Sequence, residues 1–206
     1  PALERLYGSD PLYIFDQNDS SNAPVVGLHD NPLAFRNLYP QSIRTQFERS
    51  FTDGLHYPNK RVRESEWRKV FSRARDSILP CAKCQAENFY DAQQLRSGGL
   101  QPCWHCGGAL TLPPRVRLGD DVVLLNADTK LYNHHLGPSE ATELAVAEVV
   151  PNPHNPSLFG LRNLTNDVWT FTKPDGTVVD VPAGRAVPIL AGNKVNFGPI
   201  TGEIRV

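Results

Sequence analysis

Apolar residues recur along this chain with two different periods. Ile43, Phe47, Phe51 and Leu55 return every four residues, which places them on one face of a helix. Trp67, Val70, Phe71, Ala74 and Ile78 follow at helical spacing as well. Glu64 and Glu66 stand in the first turn of this second helix, and Arg73 and Arg75 near its last. Each sign sits at the end of the helix dipole that favours it. Pro80 stops the second helix. Gly54 stands near the end of the first, where a left-handed cap is common. The pattern predicts two helices packed stripe on stripe, with their aromatic rings in the core.

From Pro113 onward the period shortens. Runs rich in Val, Ile, Phe and Trp alternate with turn signals: Pro-Asp-Gly at 174–176, Pro-Ala-Gly at 182–184 and Gly-Asn at 192–193. Strands are predicted over 115–118, 122–125, 145–150, 158–164, 168–172, 178–181, 186–190, 194–197 and 203–206. Their spacing of roughly 8–12 residues predicts an antiparallel β-sandwich. His134 and His135 lie in a connection between strands. Neighbours on an extended chain point to opposite sides, so a loop or hydrogen-bonding role is expected for them rather than a metal pair. Residues 1–40, with Asp-Pro and Asn-Pro steps, read as irregular, apart from an extended apolar run at 12–15. Asp16 to Ser20 starts like a calcium loop. Ser21 then stands where Gly is needed and Gly27 where Glu is needed, so side-chain-capped turns are the expectation.

Composition narrows the class. With 40% hydrophobic and 21% charged residues, the 206-residue chain reads as a soluble globular protein of one or two domains. It has no apolar run long enough for a membrane span. Its N-terminus lacks the charged-then-apolar order of a signal peptide. It contains no Met, not even an initiator, which predicts a piece of a longer polypeptide. The net charge of -1 hides a basic segment, since residues 36–79 hold ten basic against five acidic residues. Internal pairing is the expected use of that segment. With no overall basic footprint, nucleic acid is not an expected partner.

The chemistry is concentrated in the four cysteines. Cys81-Ala-Lys-Cys84 and Cys103-Trp-His-Cys106 are two identical knuckles, 18 residues apart. This spacing reads as a zinc site. Each knuckle can place two thiolates about 2.3 Å from one ion, and two knuckles complete a tetrahedron with no position left for water or substrate. A structural Zn2+ held by Cys81, Cys84, Cys103 and Cys106 is therefore expected. Cysteines kept for metal favour a reducing compartment, the cytoplasm. His105 could substitute as a ligand, but four thiolates already suffice. Trp104 and Phe89 are expected to cover the metal, and Gly107-Gly108 to free backbone amides for hydrogen bonds to sulfur. Lys83 and Arg96 are offset by Glu87 and Asp91, too little positive charge for nucleic acid.

Several stretches resemble known families. Phe51-Thr-Asp-Gly54-Leu-His-Tyr-Pro58-Asn-Lys-Arg61-Val-Arg-Glu-Ser-Glu66-Trp67 resembles the last two helices of a protein-kinase catalytic domain. Arg61 matches the C-lobe arginine, whose glutamate partner in that family lies outside this stretch. Arg61 is therefore expected either to lack its usual partner or to find a substitute within residues 1–40. Val62 stands where proline is usual. The Gly-rich loop, the strand lysine, His-Arg-Asp and Asp-Phe-Gly are missing, so the resemblance implies no catalytic and no nucleotide-binding residue here. The cysteine segment resembles a zinc ribbon. Gly160-Leu-Arg162-Asn163-Leu-Thr, Asp175-Gly176 and Ala191-Gly192-Asn-Lys-Val195-Asn-Phe197-Gly198 resemble a forkhead-associated (FHA) domain. FHA domains bind phosphothreonine through loop arginine, serine and asparagine side chains. Their Gly-Arg and Ser-x-x-His loop motifs are missing, and Gly119-Asp120-Asp121 puts acid where Arg would stand, which repels phosphate. Arg162 and Asn163 are the residues a phosphothreonine-peptide-binding reading would use.

The order of the pieces resembles the C-terminal region of the serine/threonine kinases of the bacterial TerY-phosphorylation triad, associated with tellurite resistance. That resemblance implies an α+β, multi-part chain. A kinase C-lobe tail occupies 1–79, helical after 40. A four-Cys zinc ribbon occupies 80–112, and an FHA-like antiparallel β-sandwich 113–206. It implies a non-catalytic scaffold whose partners are a von Willebrand factor A-type (TerY-like) protein and a PP2C-type phosphatase. Asp120 and Asp121 are the carboxylates expected to complete a partner's metal-dependent adhesion site.

Overall fold

A computed structural model describes residues 11–137 and 144–206, together with Glu4 and Gly8. The change of period in the sequence marks a change of architecture. Helices α1 (Asp30–Arg36), α2 (Gln41–Phe51), α3 (Asp53–His56) and α4 (Glu64–Asp76) come first, with a 3-10 turn at Pro58–Lys60. A hairpin of β1 (Ile78–Pro80) and β2 (Glu87–Phe89) follows, and then helix α5 (Ala92–Gly98). The remainder comprises β3 (Arg115–Leu118), β4 (Asp121–Leu124), β5 (Lys130–Tyr132), a helical turn α6 (Asn133–Leu136), β6 (Ala145–Asn152), β7 (Asn155–Asn163), β8 (Trp169–Thr172), β9 (Val178–Val181), β10 (Ala186–Pro188), β11 (Lys194–Asn196) and β12 (Thr201–Arg205). The chain is thus helices plus antiparallel sheets, an α+β arrangement in several parts.

The later strands form two sheets, in the orders β10-β7-β6-β5 and β4-β3-β12-β11-β8-β9, with every pair antiparallel. Alternation does the sorting. Trp169 and Phe171 of β8 point inward while Thr170 and Thr172 do not. Val116, Trp169, Val195 and Ile204 from the larger sheet and Leu131, Ala147, Leu161 and Val187 from the smaller one belong to a single buried cluster. The strand at Lys130–Tyr132 was not among those expected. Its three residues run directly into the helical turn α6 with no turn signal between.

The helical part departs from expectation in four places. Helix α2 and α4 do pack together, burying Ile43, Val70 and Ala74, with Phe89 of β2 against them. The aromatic residues of the stripe are not core, however: Phe47, Phe51 and Phe71 remain exposed. Only one line of α2 meets α4, and the rings lie along its edge. Secondly, the stripe is broken at Thr52 (φ -114°, ψ -96°), which leaves Leu55 in α3, and Ile78 begins a strand. Thirdly, Gly54 is not a left-handed cap. A Cβ there would lie 3.0 Å from the Arg49 carbonyl oxygen and 3.2 Å from Arg61 Cα, so the residue is small because the 3-10 turn crosses it closely. Finally, Asp30–Arg36 is helical within the segment expected to be irregular. Pro32 sits in the first turn, where a missing N–H breaks no helical bond.

Nearer the N-terminus, Asp16 and Asp19 accept from the amides of Asn18 and Ser21, the capped turns expected there. Residues 12–15 turn rather than extend, with the Asp16 amide donating to the Tyr13 carbonyl.

Helix α4 lies directly on the sandwich. Arg73 pairs with Asp121, His135 Nε2 with Asp76 Oδ2 at 2.9 Å, and Asn126 Nδ2 donates to the Ile78 carbonyl at 3.0 Å. Among the described residues no helix is long and apolar enough to cross a membrane.

Candidate metal centre

The two knuckles fold alike because they are alike in sequence. In the first, the Gln85 amide donates to the Cys81 carbonyl and the Cys81 amide to the Ala86 carbonyl. In the second, Gly107 donates to Cys103 and Cys103 to Gly108. The residue after each second cysteine takes a left-handed backbone, Gln85 at φ +61° and Gly107 at φ +67°. Glycine takes this conformation freely, whereas Gln85 is the one described non-glycine residue with positive φ, held there by the knuckle. The 18-residue excursion is filled by β2 and by α5, whose first turn is capped by Asp91 accepting from Gln93 and Gln94.

This brings all four sulfurs within 4.8 Å of one another. Cys81 Sγ lies 3.7 Å from Cys106 Sγ, and Cys84 Sγ 3.7 Å from Cys103 Sγ. A sulfur tetrahedron with metal–sulfur bonds of about 2.3 Å has edges of about 3.8 Å. A disulfide would need about 2.05 Å. The donor set therefore fits one tetrahedral ion. Cys81 and Cys103 are 0% and 2% exposed, so the site has no open side at these ligands.

The charge balance points the same way. The Cys106 amide, then that of His105, and Asn88 bring the Cys103 thiol down to about 6, against burial. The amides of Cys84 and Lys83 hold Cys81 below the usual thiol range. Cys84 is pulled down by the Ala86 amide, but burial and the three neighbouring sulfurs outweigh it and push it up to about 12. Four thiolates cannot all ionise in one small space without a cation to share.

The surroundings correct the expectations. Phe89 turns away to pack on the helices, meeting Tyr39 at 5.8 Å. Trp104 is 46% exposed, and its ring N–H donates to the Glu87 carbonyl. The residue that does reach sulfur is Asn88, which is buried. Its Nδ2 lies 3.7 Å from Cys103 Sγ and its Oδ1 accepts from the Trp104 amide, so it ties one knuckle to the other. Asn88 was not foreseen, and only its place on the strand leaving the first knuckle hints at it. The amides that lower Cys81 and Cys103 belong to their own knuckles, whereas Cys84 is reached by the amide of Ala86, two residues beyond it. Gly108 is small because a Cβ would sit 3.3 Å from Cys106 Sγ. His105 is exposed and stands outside the cluster.

A second group, Asp76, His134 and His135, has ligand atoms within 4.8 Å. The helical turn α6 brings the two imidazole rings to 4.1 Å, which corrects the extended-chain expectation. Hydrogen bonding decides against a metal at His135. The Tyr132 amide donates to its Nδ1 at 2.8 Å, so the proton stays on Nε2 and points at Asp76. With Nδ1 accepting from the Tyr132 amide and Nε2 carrying the proton, neither ring nitrogen of His135 keeps a lone pair free for an ion.

The other singled-out residues are largely engaged. Asn163 is fully buried, with its Nδ2 donating to the carbonyls of Asp167 and Val181, so it ties the loop after β7 to the end of β9. Arg162 pairs with Glu148. The two residues a phosphopeptide reading relies on are thus committed within the sandwich. Asp121 is paired with Arg73, whereas Asp120, in the turn that Gly119 makes at φ +59°, is exposed. Arg61 Nε donates to the Gly54 carbonyl, and among the described residues of the 1–40 segment no acid pairs with it.

No protein-family model, curated protein or solved structure matches the chain.

Proposed function

We propose that this chain is the non-catalytic, zinc-binding C-terminal scaffold of a bacterial serine/threonine kinase of the TerY-phosphorylation type. It holds a structural Zn2+ through Cys81, Cys84, Cys103 and Cys106. It works in the cytoplasm, where the thiols stay reduced, and docks a von Willebrand factor A-type protein and a PP2C-type phosphatase.

The observation that supports the reading is the four-sulfur cluster lying between the helical part and the antiparallel sheets, the order in which the sequence resembles a kinase tail, a zinc ribbon and a forkhead-associated domain. Soft thiolates in tetrahedral array select zinc among the available divalent ions. With four protein ligands, the ion clamps the two knuckles together and leaves no coordination site for a reaction. Asp120 is the carboxylate available to a partner's ion, because Asp121 is occupied by Arg73.

The test is a pull-down of the purified chain with the von Willebrand-type protein and, separately, the phosphatase, with zinc and magnesium present. Binding lost in Asp120→Ala and retained in Asp121→Ala supports the reading. Failure of the intact, zinc-loaded chain to bind either protein overturns it.

A further inference from the structure

Aromatic residues of the helical part, Phe47, Phe51 and Phe71 exposed and Tyr13 and Trp67 half-buried, form one continuous ladder. Tyr13 stacks on Phe51 at 5.7 Å and Phe51 on Phe47 at 6.1 Å. Phe47 meets Trp67 edge-on at 5.1 Å, and Trp67 stacks on Phe71 at 5.4 Å. Phe51 and Phe71 are 46% and 50% exposed. Beside the ladder lies a cavity of about 380 Å³, lined by Tyr13, Phe35, Tyr39, Ile43, Phe47 and Phe71 among others. Contiguous apolar surface of this kind marks a site of interaction.

The charges at the cavity say what kind of partner fits. Arg36 and Arg44 stand on its wall, and among the described residues neither is in an ion pair. Arg36 lies 4.5 Å over the Phe15 ring. Arg44 Nη1 donates to Asn37, but its Nε is buried without a hydrogen-bond partner. A buried donor of a charged group left without an acceptor is destabilising. Within the described residues nothing supplies that acceptor.

The geometry points to this face as the docking site for an amphipathic helix of a partner protein, with its apolar side in the cavity and a carboxylate on Arg44. Helix-in-groove recognition uses such anchors at one face, with charge at the rim setting register. Glu48 shares the wall and repels acid at its own position, so the partner's carboxylates belong toward Arg36 and Arg44. Two cations and one acid are too few to follow a phosphate backbone, which sets nucleic acid aside. The surface uses none of the cysteines and not Asp120, so it goes beyond the docking proposed above and stands or falls separately.

Two synthetic helical peptides test it. They share one leucine and phenylalanine face, flanked by glutamates in one and by lysines in the other. The whole zinc-loaded chain is titrated with each by fluorescence anisotropy, beside a single-stranded oligonucleotide. The glutamate peptide is expected to bind saturably, at least tenfold tighter than the lysine peptide, and to weaken as salt rises. Arg44→Gln lowers its affinity about tenfold, or about 1.4 kcal/mol, while Arg44→Lys retains part of it. Glu48→Gln raises it, and Phe71→Ser removes most of it. Circular dichroism and zinc content identify any variant that fails to fold. Equal binding of the two peptides, no binding of the glutamate peptide, preference for the oligonucleotide, or an unaltered affinity in folded Arg44→Gln would each overturn the proposal.

Discussion

His135 and Asp76 meet across the seam between helix α4 and the sandwich, Nε2 to Oδ2 at 2.9 Å, with side chains 3% and 9% exposed. The two residues are 59 positions apart, so this bond joins the helical part to the sandwich without passing through the cysteines. His135→Ala leaves the buried Asp76 carboxylate without that donor, with Arg75 3.3 Å from its other oxygen. A hydrogen bond to a charged group contributes about 1.5–3 kcal/mol, so a loss of that size is expected in denaturant unfolding. Asp76→Asn keeps an acceptor for Nε2 and is expected to cost less. A greater loss in Asp76→Asn than in His135→Ala would contradict the tautomer assigned here.

Removal of the metal is expected to act locally. Chelation, or Cys84→Ser, frees the knuckles and with them Phe89, whose ring packs on Ile43, Val70 and Ala74. Hydrogen exchange should rise in β2 and along the α2–α4 contact, while β6, β7 and β12 stay protected. Exchange rising equally throughout the sandwich would show that the cluster holds the whole chain together. Metal uptake releases the protons that the thiols hold, so affinity rises with pH. Cys84, pushed up to about 12 before metal arrives, is the thiol with most to give.

These relations were unequally legible in the chain. The knuckles could be read because each is a local turn whose spacing alone sets its geometry. Phe47, Phe51 and Phe71 have the right period for a helix, but period says nothing about how many neighbours a stripe will find, and here α4 covers only one edge of it. The hydrogen-bonding role expected of His135 is found, but its helical setting and its partner were not legible, because α6 is a single turn and Asp76 is distant in sequence. Asn88 carries no motif; its role exists only once the two knuckles face each other. The sandwich strands were readable where short apolar runs lie between turn signals, as in β8 and the three-residue β11, and unreadable at β5, which runs straight into the helical turn α6.

Glu66 gives the helical pair an acid-sensitive element. It accepts from the Arg63 amide at 2.9 Å and from Arg49 Nη1 at 2.6 Å, and these bonds, the amide first, hold its carboxyl below the usual range. A lowered folded-state pKa means stability that is present above the unfolded value of about 4.3 and lost as pH falls through the folded value. Glu66→Gln is therefore expected to be less stable than the parent near neutral pH, with the difference shrinking on acidification below about pH 4. Urea titrations at several pH values measure this, and a difference that grows toward low pH would have the wrong sign.

Gly202 marks where the sandwich tolerates no side chain. It lies on β12, opposite Leu118 on one neighbour and Val195 on the other. A Cβ at this position would come to 2.8 Å from Val116 Cγ2, 2.9 Å from Leu118 Cδ2 and 3.1 Å from Phe197 Cε2. Val116 and Leu118 are 0% and 2% exposed and Phe197 4%, so none of the three can move outward. Inserting a methyl into such a core forces side chains off their rotamers and costs about 1–3 kcal/mol. Gly202→Ala should lose that much in denaturant unfolding with the slope of the transition unchanged. Gly184→Ala, where nothing lies within 4 Å but φ is +76°, is strained through its backbone alone. Truncating a neighbour distinguishes the two cases. Leu118→Ala, itself destabilising, should make Gly202→Ala cost less in the double variant than alone, and should leave the cost of Gly184→Ala as it was. A Gly202→Ala cost unaffected by Leu118→Ala would mean that the methyl does not meet that side chain.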